Sequence, residues 1–184
     1  MKTLVVILLL ASFSFSSYAQ RITELEETKV AFSPITLTET DVPDEYRYEV
    51  NDGFTDEFAK DPISFVESYF DISNLIEEVK HKDYDYYMVR FTTNNGFLEA
   101  KYSKDGELNR TRQIFKNAVL PLAVRNELFR QTEGWSMVKN TYIAKGKSNI
   151  LDKEDYRIKV VKGNKKKIVK IDAKKLNEEQ VAGL

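Results

Sequence analysis

The chain holds one histidine, His81, and no cysteine. Disulfides, thiol catalysis and thiolate metal sites are therefore excluded. His81 alone cannot build a histidine metal site, and no local motif supplies partners for a His–Ser–Asp triad. It reads as a half-exposed linker residue. Carboxylates are the larger chemical resource: Glu77, Glu78, Asp83 and Asp85 cluster ahead of the first long alternating segment. Two of them facing each other in a cleft would serve as the acid and base of a hydrolase or transferase. Without a cleft they are a solvated acidic surface, or at most a weak cation site built from hard oxygen ligands. Asn51-Asp52-Gly53, followed by Asp56 and Glu57, invites a calcium-loop reading. The spacing fails, because Gly53 at loop position six would put Tyr48 at the first ligand position; a turn is the reading kept. No phosphate-binding glycine loop of the GxxxxGK[ST] kind occurs. No catalytic residue, metal ligand or cofactor is assigned.

Two features could bind rather than react. Lys159, Lys162, Lys165, Lys166, Lys167 and Lys170 surround the turn of a terminal hairpin, with Lys174 and Lys175 beyond it. Lysines guard exposed sheet edges against aggregation. The same cluster, centred on Lys165, Lys166 and Lys167, would also hold an anionic surface or an acidic partner. Tyrosines supply the second feature. Half of each alternating set belongs in the core, while Tyr84 and Tyr86 are candidates for an exposed aromatic strip of the kind interfaces use.

These residues must be positioned by elements legible in the pattern. Residues 1–19 read as a signal peptide: Lys2, an apolar run from Leu4 to Ala11, and small residues at Ser17 and Ala19 before the cleavage point. The expected mature chain is periplasmic or secreted. Nothing after Ala19 approaches the ~20 apolar residues a membrane-spanning helix needs. The overall charge of −1 conceals two blocks. Residues 20–100 carry 7 Lys/Arg against 19 Asp/Glu, and residues 101–184 carry 20 against 10. A two-signed surface follows, with halves that attract each other or address different partners. Nucleic acid is not an expected partner of an exported chain with this balance.

Residues 20–60 read as an acidic, loosely structured leader with at most short extended pieces at Lys29–Phe32 and Tyr46–Val50. Asp61-Pro62 starts a helix that runs to about Phe70. Asn74–His81 reads as an extended link or a first strand. Tyr87, Val89 and Phe91 alternate against Tyr86, Met88 and Arg90, which predicts a strand with one buried face. Asn95-Gly96 then predicts a tight turn using positive φ. Leu98, Ala100 and Tyr102 mark the return strand, Asp105-Gly106 the next turn, and a third strand follows. Pro121 opens a helix that stops near Gly134. A strand from Trp135, a polar loop over residues 145–154, and a hairpin closing at Asp172 complete the reading. Tyr87-x-Val89-x-Phe91 and Tyr156-x-Ile158-x-Val160 recur in matching order, which divides the domain into units of about 61–116 and 117–175. The expected fold is α+β: one antiparallel sheet with two helices packed on one face, built from tandem helix-plus-meander units.

The segments "GFLEAKYSKDGELNRTRQIFKNAVLPLAV", "GWSMVKNTYIAKG" and "YRIKVVKGNKKKIVKID" are similar to those of small secreted PepSY-like proteins of Bacteroidetes-type bacteria. That fold is akin to the tandem domains of the beta-lactamase inhibitor protein. The resemblance spans roughly Asp61 to Asp172 and rests on scaffold residues: the Asp105-Gly106 turn, the Lys116-Asn117 to Pro121 helix entry and the Gly134-Trp135 junction. It implies a non-enzymatic, extracytoplasmic module covering 61–184 that binds or inhibits another protein, and it transfers no functional residue. The expectation is a binding protein whose partner is an envelope or extracellular protein or an anionic surface, engaged through the exposed sheet face and the lysine hairpin. A carboxylate-based hydrolase or transferase and a ligand-free structural module are the alternatives.

Overall fold

The computed structural model describes residues 33–38, 45–82 and 84–182. The expected signal peptide, most of the leader including Lys29–Phe32, and Asp83 lie outside those residues. The alternation of Tyr87, Val89 and Phe91 with Tyr86, Met88 and Arg90 sets the backbone of β3 (Tyr86–Thr93). It pairs with β4 (Gly96–Ser103), which pairs with β5 (Leu108–Lys116). The meander continues through β6 (Ser136–Lys147), β7 (Ile150–Lys162) and β8 (Lys165–Asp172), each antiparallel to its predecessor. Ahead of β3 lie β1 (Ile35–Thr38) and β2 (Glu45–Val50), giving eight strands in sequence order among the described residues.

The sheet is not wholly antiparallel, because β2 runs parallel to β3. A parallel pair cannot be closed by a hairpin. Residues 51–85 make the crossover, whose described residues fold into two short 3₁₀ turns (Asp52–Phe54 and Lys80–Lys82) and three helices: α1 (Thr55–Lys60), α2 (Pro62–Tyr69) and α3 (Ile72–Val79). Residues 45–60, expected in a loose leader, are therefore part of the domain, and Val50 and Phe58 lie in its core. The stretch expected as an extended link or strand is instead α3. Ile72, Leu75, Ile76 and Val79 recur at helical spacing, and the Asp71 carboxylate accepts from the Ser73 amide at 2.8 Å. At α2, the Asp61 carboxylate accepts from the Ser64 amide at 3.2 Å and the Ser64 hydroxyl at 2.8 Å, with Pro62 next to it. Later come α4 (Leu122–Gln131) and α5 (Ala173–Ala182); α5 was not expected, and among the described residues five helices stand where two were expected.

Two apolar clusters fill the structure. The first is rich in rings: Phe58 meets Phe65 and Phe115 with centroids 5.3 and 5.7 Å apart, and Phe70 meets Phe91 at 5.0 Å. The second joins Val124 and Leu128 of α4 to Ile158, Val160, Val169 and Ile171. Their strand residues share a side of the sheet, since Phe115, Tyr142, Tyr156 and Ile171 are opposed in register across four strands. We term that side the core face and the other the polar face.

Turns differ from expectation in two places. Gly96 lies outside the positive-φ residues. It is needed for close approach, because a Cβ there would sit 2.1 Å from the Ile114 carbonyl oxygen. The expected polar loop after β6 is a two-residue turn at Ser148-Asn149, and both flanking strands extend through it. Gly106 does take positive φ, at 85°, as an Asp-Gly turn requires.

Candidate functional site

The polar face is ordered by the hairpin registers. Arg47 opposes Arg90, which opposes Glu99, then Arg112, Lys145 and Lys153, in one line across six strands. Neighbouring strands stand ~4.8 Å apart, so the charges repeat at that interval. One end of the line is internally compensated. Glu45 contacts Arg47 at 3.2 Å and Arg90 at 3.3 Å, and Arg90 contacts Glu99 at 2.6 Å. At the far end, Lys153 and Lys170 both approach Asp155, at 3.2 and 3.6 Å. Between them, Arg112 and Lys145 have no carboxylate within ion-pair distance among the described residues.

A shallow depression of about 520 Å³ lies there, bordered by Lys101, Arg110, Arg112, Lys145, Lys147 and Lys153 against Glu99 and Asp152. Beside it runs an apolar row, Phe97–Ile114–Ile143. The Phe97 ring carries the Arg90 and Arg112 guanidinium carbons 5.0 and 5.6 Å from its centroid. Arg90 is already engaged by Glu45 and Glu99, whereas a guanidinium stacked on an aromatic ring, as Arg112 is here, can still offer its N–H edge to carboxylate or phosphate oxygens. This arrangement can grip a multiply anionic surface.

The residues singled out from sequence are dispersed. Tyr86 is half-exposed on the polar face, its ring 3.6 Å from the Lys101 Nζ. Tyr84, two residues earlier, turns toward the core and meets Tyr87 edge-on at 5.8 Å. The two do not form one strip. The lysine hairpin is split as well. Lys166 opposes Val161 on the polar side, whereas Lys165 and Lys167 lie on the side of Val169 and Ile171. Lys167 is tied down there, with Nζ 4.8 Å from the centroid of Trp135 and donating to the Gln131 carbonyl at 3.4 Å. Lys166 alone of the three shares a face with the cationic line.

Glu77 and Glu78 are exposed on α3, Asp85 is exposed before β3, and His81 is exposed in a 3₁₀ turn over 80–82. Among the described residues, none of the three clefts with defined linings includes Glu77, Glu78 or Asp85. The residues that sequence reasoning missed are Arg110, Arg112, Lys145, Lys147 and Lys153. Their signal was present: each lies one residue out of phase with a core-facing position of its strand. For Lys145, Lys147 and Lys153 it was hidden because residues 145–154 read as loop.

No family model, curated protein or solved structure matches this chain.

Proposed function

We propose that the protein is an exported, non-enzymatic binding module of the cell envelope or extracellular space, PepSY-like in kind, with two helix-plus-meander units sharing one sheet. It engages an acidic partner protein through the polar face. The observation that carries this reading is the uncompensated centre of the cationic line, Arg112 and Lys145, set beside the apolar row of Phe97, Ile114 and Ile143. Charge supplies long-range attraction and orientation, and the half-buried apolar row supplies area that dries on contact. Tyr86 flanks this surface as a secondary contact and Lys166 lies further along the same face, while Lys165 and Lys167 guard the sheet edge.

The test is a cross-linking capture from envelope extract with the chain 20–184, at low and high salt. One variant carries Arg112, Lys145 and Lys153 changed to Glu; a second carries Lys165, Lys166 and Lys167 changed to Glu. A partner lost at high salt and with the first variant, but kept by the second, supports the reading. A partner lost only with the second variant moves the site to the hairpin. Capture indifferent to all three conditions overturns it.

A further inference from the structure

The core face is not sealed where the two apolar clusters meet. A cleft of about 970 Å³ opens over the middle of the sheet. Gln113 of β5, Tyr142 of β6, and Glu154 and Tyr156 of β7 form its floor. Gln113, Ala144 and Glu154 are opposed in one row, and Phe115, Tyr142 and Tyr156 in the next. One wall is the end of α1 and the start of α2. The other is the segment 116–121, pinned to β6 where the Asn117 amide donates to the Asn140 carbonyl at 2.9 Å and the Asn140 side chain donates to the Ala118 carbonyl at 2.9 Å.

The floor is polar and unpaired. Gln113 is 2% exposed and lines the cleft, yet its amide meets no hydrogen-bond partner among the described residues. The same holds for the Tyr142 and Tyr156 hydroxyls and the Glu154 carboxylate. None of these atoms is sealed away from the cleft, so their hydrogen-bonding capacity is turned toward whatever occupies it. A converging set of four such groups is how binding sites are furnished. The sign of the lining points to the ligand. Asp56, Asp61, Glu67 and Glu154 face it against Lys60 and Lys116. Lys174 is the cation whose charge reaches Glu154, but it donates to the Leu151 carbonyl at 3.2 Å and forms no ion pair with Glu154. The two tyrosine rings stack obliquely, centroids 5.0 Å apart at 43°, and offer π faces to a cation.

We propose that this cleft binds an organic cation, a guanidinium or primary ammonium group on a short aliphatic stem. Glu154 is its counter-charge, the Tyr142–Tyr156 pair its aromatic wall, and the Gln113 carbonyl an acceptor for its N–H groups. Electrostatics agree with the geometry. Burial first, and then the Glu154 charge, push the Tyr156 hydroxyl up to about 12. Burial, Glu154, Tyr156 and Asp61 in that order raise Tyr142 further. Both phenols therefore stay neutral in a negative field. A phosphate or carboxylate ligand would face four carboxylates. A bare metal ion would find no cluster of three ligating side chains among the described residues. The cleft is larger than one guanidinium needs, which leaves room for the residues on either side of an arginine in a peptide.

Isothermal titration of the chain 20–184 with argininamide, with a blocked Ala-Arg-Ala peptide, and with the same peptide carrying neutral citrulline for arginine tests the proposal. Expected is binding of the arginine ligands, with citrulline weaker by about tenfold or more, as loss of a charge-assisted contact implies. A tighter peptide than argininamide identifies a peptide-borne cation, and equal affinities identify the small cation as sufficient. Glu154→Gln should reproduce the tenfold loss, and Tyr156→Phe a loss of a few fold, with thermal melts verifying that both variants are folded. Equal binding of citrulline and arginine, unchanged affinity in Glu154→Gln, or no heat from either arginine ligand at millimolar concentration overturns the proposal.

Discussion

Strands β5, β6 and β7 carry opposite chemistry on their two sides. On the polar face, Arg112, Lys145 and Lys153 stand in one row. On the core face, one residue along, Gln113, Ala144 and Glu154 stand in another. The cations are long, exposed and mostly unpaired, so each interacts weakly and the face works by number and spacing. The groups in the cleft are short and half to fully buried, so a single one shifts the local field and governs what fits. The backbone period of two makes this possible: residues adjacent in sequence address different partners. The acidic and basic halves of the sequence thus describe the fold poorly as halves. The crossover over residues 52–82 carries eight carboxylates against three lysines, while the cations of the later strands concentrate on the polar side.

The contrast between faces can be broken most forcefully by truncation. Phe91, fully buried on the core face, should cost ~3–5 kcal/mol when changed to Ala. Lys101→Ala on the polar face should cost ~1 kcal/mol or less, the scale of an exposed cation–π contact. Chemical denaturation of both variants decides the matter, and equal losses would refute the assignment of faces. Next in size is Asp61→Ala, which removes the cap of α2 and loosens one wall of the cleft, at ~0.5–2 kcal/mol. A thermal melt reads this, and a cleft ligand should bind more weakly to the variant.

A smaller stability effect sharpens the comparison from the other side. Changing Arg112 and Lys145 to Glu should move stability by ~0.5 kcal/mol or less. The same variant should elute from a cation-exchange resin at clearly lower salt than one with Lys165 and Lys167 changed to Glu. The reverse elution order would show that the hairpin, and not the sheet, is the dominant cationic surface. The subtlest test is pH. Burial, together with Asp172, raises the Glu154 pKa against the opposing pull of Lys174. The folded chain then holds this proton more tightly than the unfolded one. That contribution to stability is complete below the ordinary glutamate pKa and is lost as pH rises through the folded value. Glu154→Gln should remove this decline. Identical stability–pH curves for the two proteins would show that the carboxylate is solvated.

Much of this organisation was legible in residue types. Tyr87, Val89 and Phe91 named the core face of β3, and Asp61-Pro62 named the start of α2, because both signals are local. The missed α3 was local too. Ile72, Leu75, Ile76 and Val79 carry the helical period, but the eight-residue helix is short and lies among charges that read as a link. The parallel pairing of β2 with β3 could not be read, since no local feature joins Tyr48 to Phe91. The cationic line fared likewise. Every member is visible in the sequence, yet their alignment depends on five registers together, including a two-residue turn at Ser148-Asn149. The cleft was less visible still, because it exists only where α1, α2 and the segment 116–121 fail to meet over the sheet.

The parallel step between β2 and β3 has a consequence for how the chain assembles. From β3 onward every strand pairs with its sequence neighbour, through short turns everywhere except between β5 and β6, where residues 117–135 and α4 intervene. The first hairpin must instead return across residues 51–85, and loop-closure entropy disfavours that contact until the intervening helices have formed. The expected order is meander first, crossover helices next, β1–β2 last. In that interval β3 is a bare edge with Val89 and Phe91 on one side and free amides along its length, the most adhesive surface the nascent molecule displays. Glu45, which joins Arg47 and Arg90 on arrival, then acts as the latch that retires that edge.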